Sequence, residues 1–273
     1  MQEVKGKLYL VATPIGNLED VTIRALRILR KADVVAAEDT RRTRKLLARF
    51  KIRQSLVSYH DFNKARVAPE IIRRISSGDN VALVSDAGSP GISDPGFLLV
   101  KLAIKEGIDV VPIPGASSVI CALQISGLAT HNFAFEGFLP RKKGKRRTRL
   151  ESLKAEKRTM IFLESPNRLS QTVSEMLEVF GERKVAICRE LTKLFEEVKR
   201  ITLSEAKKLL SVKAVKGEVV LVVEGSAGSG AEADSDESAG SEADAGSGTD
   251  AHPDAGSESD APDAAKEPGS QND

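Results

Sequence analysis

Tryptophan is absent from this chain of 273 residues, tyrosine and cysteine each occur twice, and no apolar run approaches the roughly 18 to 20 residues needed to span a bilayer. The two cysteines, Cys121 and Cys188, lie far apart with no CxxC partner, and His60, His131 and His252 never fall at metal-ligand spacing. A structural zinc and a disulfide framework are therefore excluded, and both thiols are expected to be reduced in packed positions. The opening MQEVKGKLYLVATP lacks the layout of a signal peptide, which points to a cytoplasmic protein. So few aromatic residues leave little for a broad base-stacking platform, and no RNP, KH or zinc-finger signature appears. Missing too are a GxGxxG turn after the first strand and a GxxxxGK[ST] phosphate loop, so dinucleotide dehydrogenase, kinase and ATPase readings fall away.

Overall charge is nearly balanced, with 41 Lys plus Arg against 39 Asp plus Glu, but the balance is not uniform. The last 48 residues hold 13 acids and one Lys, Lys266, which leaves the first 225 with a net charge of +14. From Ser226 onward alanine is the only apolar residue, so this tail cannot offset the entropy of ordering and is expected to be disordered. It reads as a solvating tail, or as an electrostatic competitor that screens the basic body from polyanions.

The body alternates short β-rich runs with amphipathic stretches. KLYLVAT, DVVAAED, SLVSYH, NVALVSD and DVVPIPG read as strands. Between them Leu18 to Ala32, TRRTRKLLARF, Ala65 to Ser77 and FLLVKLAIKEG read as helices, with Leu18, Ala25, Leu29 and Ala32 on one stripe of the first. Five strands interleaved with helices predict a mostly parallel sheet covered on both faces. After Gly115 the pattern changes. SSVICALQISG reads as a helix, NFAFEGF as a strand, then come a basic loop, the strand RTMIFLES, a helix from Arg168 to Phe180, and the strands KVAICREL, VKRITL and GEVVLVVEG. The expectation is an α/β protein of two lobes, residues 1–115 with a mostly parallel sheet and residues 116–225 with a mixed one, followed by the tail 226–273.

In such a sheet ligands bind outside the carboxyl ends of the strands, so the loops there are the place to look for chemistry. The first strand ends in TPIGN. The second ends in AEDTRRTR, where Glu38 and Asp39 point to opposite faces and at most one of them faces a given cleft. The fourth ends in SDAGSPGISDPG, whose glycines let backbone approach a ligand and whose prolines fix the loop. The fifth ends in PIPGASS, where Ser117 or Ser118 can cap the next helix. Elsewhere, Arg141, Lys142, Lys143, Lys145, Arg146, Arg147 and Arg149 put seven cations in nine positions. This segment is expected to be a mobile exposed loop or a frayed helix start, and its partner a polyanion. Arg24, Arg27 and Lys31 on one helix and Arg41, Arg42, Arg44 and Lys45 on the next extend the basic character.

Taken in order, TPIGN, AEDTR, SDAGSPGISDPG, PGASS, EGFLPRKKGKRR, ESPNRL, RELTK and KGEVVLVVEG resemble the tetrapyrrole methylase superfamily. Within it the match is to the bacterial 16S ribosomal RNA (cytidine-2'-O) methyltransferases, over about Leu8 to Gly225. The resemblance implies a two-lobed enzyme, usually a homodimer, that binds S-adenosylmethionine in the cleft between the lobes and acts on 16S ribosomal RNA or the 30S subunit. It further implies cofactor contacts at Pro14, Ile15, Gly16 and Asn17, at Ser85, Asp86, Ala87 and Gly88, and at Gly115, Ala116, Ser117 and Ser118. On the second lobe it implies Glu164, Ser165, Glu190, Lys216, Gly217 and Glu218. Methyl transfer to a ribose hydroxyl calls for a proton acceptor within hydrogen-bond reach, for which Asp86, Asp39 and Glu164 are the candidates, in that order. A porphyrinoid methyltransferase of the same superfamily and a ribosome-binding protein without turnover are the alternatives.

Overall fold

The computed structural model describes residues 5–212 and 215–226, so the acidic tail beyond Ser226, with its expected disorder and screening role, lies outside the described residues. The first half alternates β1 (Leu8–Val11), α1 (Ile23–Lys31), β2 (Val34–Ala37), α2 (Thr40–Arg49), β3 (Leu56–Ser58), α3 (Lys64–Ser76), β4 (Val81–Val84), α4 (Gly96–Lys105) and β5 (Val110–Ile113). All the pairings in its sheet are parallel, in the order β3-β2-β4-β1-β5. Strands β2 and β4 are buried along their whole length, which is why they read as unbroken apolar runs. One face packs Leu8, Ala36 and Leu83 against Val67, Ile71 and Leu99 of α3 and α4, and the other packs Val11, Val35 and Val84 against Leu29 and Leu47 of α1 and α2.

Between Ile113 and Ser118 the chain crosses to a second sheet. There α5 (Ser118–Gln124), β6 (Phe133–Phe138), α6 (Lys143–Ser152), β7 (Thr159–Glu164), α7 (Pro166–Phe180), β8 (Lys184–Arg189), β9 (Glu197–Thr202), α8 (Leu203–Val212) and β10 (Val219–Val223) follow. The order β6-β7-β10-β8-β9 is mixed, since β6 and β7 run parallel and the other pairs antiparallel. One of its faces is covered by α6, α7 and α8, the other by α5. The fold is therefore α/β with one parallel and one mixed sheet. Among the described residues no helix is long and apolar enough to cross a membrane.

Three local expectations need correction. Leu18 to Ala32 is not one helix: Asn17 caps a short 3-10 turn at Leu18–Asp20, Val21 is extended, and the Thr22 hydroxyl caps α1 by accepting from the Ala25 amide. Leu18 consequently leaves the stripe and is exposed, whereas Ala25, Leu29 and Ala32 are buried. Of the two expectations for the basic segment, the helix start holds and the mobile loop does not: α6 begins at Lys143, and Arg146 is anchored from outside, as described below. Helix α8 had no counterpart in the sequence reading, although T-x-x-E at Thr202 to Glu205 is a capping-box signature. The Glu205 carboxylate accepts from the Thr202 amide (2.8 Å) and the Thr202 hydroxyl from the Glu205 amide (3.4 Å).

Candidate active site

A cavity of about 420 Å³ opens where the carboxyl ends of β2 and β4 face the second sheet. Its first-half wall is made by Ile15, Glu38, Arg42, Ser85, Asp86, Ala87 and the loop residues Ile92, Ser93 and Asp94. Its second-half wall is made by Ser118, Phe138, Leu163, Glu164, Ser165, Cys188, Leu191 and residues 217–220. Apolar walls with a few convergent polar groups are what a small-molecule site requires.

The joint between the halves sits beside it. Ile15 inserts into the apolar cluster of the second half with Ala122, Cys188 and Leu191. The Asn17 amide donates to the Thr192 hydroxyl (3.1 Å). At Gly16 an added Cβ would run into the Lys193 and Thr192 side chains, so only glycine permits this approach. Of the four residues Pro14 to Asn17, then, Ile15 lines the cavity, Gly16 and Asn17 hold the two halves together, and Pro14 lines a smaller hollow with Leu18, Arg42 and Lys45.

The loop after β4 is held by its own polar atoms. Thr13 and Gly88 exchange backbone hydrogen bonds (2.9 and 3.0 Å), the Ser85 hydroxyl donates to the Gly88 carbonyl, and Asp94 accepts from the Gly96 and Gly91 amides. This leaves Ser85, Asp86 and Ala87 on the cavity wall and Gly88 behind it. Gly115 backs onto Ala12, Ala116 packs with the α5 cluster, Ser117 caps α5 by accepting from the Ile120 amide (3.5 Å), and Ser118 reaches the cavity.

Across the cavity Glu190, at a left-handed φ of 52°, works as a latch. Its carboxylate accepts from the Lys193 ammonium and the Glu218 amide, each at 2.9 Å, and its own amide donates to the Glu218 carbonyl. The Lys193 hydrogen bond draws the Glu190 carboxyl below its ordinary range. Among the described residues Lys216 is tied through its carbonyl, to Arg189, while Gly217 and Glu218 line the cavity. Gly217 has φ 92°, and a Cβ there would strike the Glu190 carboxyl. Gly217→Ala is expected to cost more than about 1 kcal/mol of stability, to be read by thermal unfolding.

The carboxylates sort into distinct roles. Asp39, an expected proton acceptor, is the N-cap of α2: it accepts from the Arg41 amide (2.8 Å) and faces the Arg41 guanidinium, and that amide holds its carboxyl below the usual range. Glu164 is buried with both oxygens engaged, one by the Ser165 amide (2.8 Å), the other by the Thr172 hydroxyl (2.6 Å) with Arg168 at 3.4 Å, so it organises the start of α7. Asp86 accepts from the Asp39 amide (3.0 Å) and lies 3.5 Å from Arg42. The residue that faces the cavity from the second strand is Glu38. Burial raises its carboxyl above the ordinary range, and the charges of Asp86 and Asp94 add to the rise. Burial raises Asp94 as well, against the pull of the Gly96 and Gly91 amides. Cys188, on the cavity wall, is a free thiol pushed up to about 11 by burial, and Cys121 is likewise unpaired with any cysteine.

The basic residues sort too. Arg146 is 2% exposed and forms a bidentate pair with Glu175 of α7 (2.8 and 2.7 Å), so it is removed from the set that a polyanion can reach. Arg147 pairs with Glu151 and Glu178, and Arg149 with Glu136. Arg141, Lys142, Lys143 and Lys145 are exposed and form no ion pair among the described residues.

A model of the tetrapyrrole (corrin/porphyrin) methylases matches residues 7–207. The chain is 57% identical over 222 residues to the ribosomal RNA small subunit methyltransferase I of Halalkalibacterium halodurans, covering 81% of this chain and 77% of that protein. It is 48% identical over 220 residues to the protein of the same name from Thermotoga maritima, covering 81% and 99%. In fold it is similar to the uroporphyrin-III C-methyltransferase of Thermus thermophilus complexed with S-adenosylhomocysteine, with a TM-score of 0.59 at 21% identity over 80% of this chain and 97% of that one. With one parallel and one mixed sheet, and with its loops meeting at a single cavity, the chain belongs to the tetrapyrrole methylase family, alongside the relatives that carry the small subunit methyltransferase I name.

Proposed function

We propose that the protein transfers a methyl group from S-adenosylmethionine to the 2'-hydroxyl of a cytidine in the decoding centre of 16S ribosomal RNA. The observation that carries this reading is the joining, at one cavity, of an apolar small-molecule pocket with a half-buried carboxylate of raised proton affinity and an exposed cationic helix.

The cavity fits the cofactor: its volume is in the range of drug-sized ligands, Ile15, Leu163 and Leu191 offer apolar contact, and Ser85, Ser118 and the backbone of residues 85–87 and 217–218 offer polar contact. Bound there, S-adenosylmethionine supplies an electrophilic methyl group. The chain's own share is to hold the hydroxyl in line for displacement and to take its proton. Glu38 fits the second task, since it faces the cavity and its raised affinity for protons brings it nearer to that of a useful base. Asp86 and Arg42 position each other at the same wall. The two lobes, 1–115 and 116–225, are then the two jaws of the site. The same reading includes a cytoplasmic homodimer, for which exposed apolar side chains such as Phe62 and Phe97 offer surface.

The test is incubation of purified small subunits with radiolabelled cofactor, followed by mapping of the labelled nucleotide. The expected result is one 2'-O-methylated cytidine. DNA of equal length should compete for binding yet accept no methyl group, since it lacks the acceptor oxygen. Methylation of a tetrapyrrole in place of the subunit, or failure to bind the cofactor in calorimetry, would overturn the reading.

A further inference from the structure

Between Thr40 and His60 the chain carries seven cations, Arg41, Arg42, Arg44, Lys45, Arg49, Lys51 and Arg53, and no acid. All seven are exposed, because α2 buries Thr43, Leu46 and Leu47 and turns its other positions outward. Arg41 and Arg42 lie near Asp39 and Asp86 at the cavity end of the helix. Arg44, Lys45, Arg49, Lys51 and Arg53 form no ion pair among the described residues.

These cations line three hollows around α2, of which the first two share Arg42 and the third lies on the other flank of the helix. Arg42 lines the main cavity and also the adjoining hollow, which it shares with Lys45. Further along, Arg44, Lys51 and Arg53 line an open groove of about 710 Å³ between α2 and the edge strand β3. Helix α1 meets this end: Arg30 donates to the Phe50 carbonyl (3.4 Å), and Gln54 donates to the Arg30 carbonyl (2.9 Å), so the basic surfaces of α1 and α2 join.

We propose that α2 and the turn after it form a track for the phosphates of the ribosomal RNA strand that flanks the target nucleotide, leading into the cavity at Arg42. This inference rests on the function proposed above. Ten helical residues span about 15 Å, enough for roughly four phosphates at ~3.4 Å per nucleotide of stacked strand. Cations without acid partners are the ones whose binding to phosphate displaces counterions rather than an existing ion pair. By that measure the arginines of α6 are poorer contacts, since Arg146, Arg147 and Arg149 already have carboxylate partners.

The experiment compares two variants of the full chain for binding to purified small subunits across a salt series. One is Arg44→Gln/Lys51→Asn/Arg53→Gln, with asparagine chosen because Lys51 has a left-handed φ of 53°. The other is Arg147→Gln/Arg149→Gln. The track variant is expected to bind roughly tenfold or more weakly, with its salt slope reduced by about 2, while cofactor binding and thermal midpoint stay at wild-type values. The α6 variant is expected to stay close to wild type. Unchanged affinity and slope in the track variant overturn the proposal, as does an equal loss in both variants. If the wild-type protein labels no subunit RNA, the proposed function itself has failed, and the track falls with it.

Discussion

Glu38→Gln is expected to lower methyl transfer to small subunits by about 10²- to 10⁴-fold, the usual worth of a positioned proton acceptor, with cofactor and subunit affinity retained. The amide keeps the shape of the side chain and loses only its basicity. The wild-type rate should rise with pH through a carboxylate titration displaced upward from the ordinary range, since burial and the charges of Asp86 and Asp94 favour the protonated form, while the backbone amide of Asp86 opposes them. Asp61 adds a weaker like charge, and Arg42 stands on the same wall. The variant should lose that limb of the profile.

Stability provides an independent readout. The folded protein binds the Glu38 proton more tightly than the unfolded chain does. Its favourable contribution is therefore complete below the unfolded pKa and is lost as pH rises through the folded one. Ionised Glu38 is a burden on the fold at neutral pH, and Glu38→Gln should unfold at the same temperature as wild type or slightly higher. A purely structural carboxylate would give the reverse. Turnover within about twofold of wild type with an unaltered pH profile would remove Glu38 from the mechanism.

The choice between Glu38 and Asp39 shows where sequence was sufficient and where it was not. Alternation along the strand limits the cavity to one of the two, and Asp39 directly precedes an amphipathic run, the position an N-cap takes, so its capping role was legible from TRRTRKLLARF alone. The raised proton affinity of Glu38 was not legible, because it depends first on burial and then on Asp86 and Asp94, residues that only the parallel pairing of β2 with β4 brings near. The same holds for TPIGN. Its motif order carried the family resemblance, yet Gly16 and Asn17 serve contact with Thr192 and Lys193, some 175 residues away, a separation that no local pattern encodes. Strands β2 and β4 were readable because strands covered on both faces must be apolar throughout. The start of α6 was readable only as one of two alternatives, because repulsion among its cations argues against a packed helix until a carboxylate from α7 is supplied.

Arg146→Ala is expected to cost about 3 to 5 kcal/mol, because it strands the Glu175 carboxylate in a buried site, and to lower the thermal midpoint by about 10 °C. Arg146→Lys should recover only part of this. A single ammonium cannot match the fork that serves both Glu175 oxygens while also donating to the Arg141 carbonyl (3.2 Å). Arg146→Met/Glu175→Leu should recover most of it, since replacing both partners with apolar groups avoids the desolvation that the pair must offset. The guanidinium holds the Glu175 carboxyl below its ordinary range, so the pair's contribution is present above the unfolded carboxylate pKa and lost as pH falls through the folded one. In denaturant titrations the advantage of wild type over Arg146→Ala should accordingly shrink in acid. The double variant also separates architecture from recognition. If α6 is held by its buried pair and the RNA is gripped along α2, Arg146→Met/Glu175→Leu will bind small subunits with wild-type affinity and salt slope despite having lost a residue from the most cationic stretch of the chain.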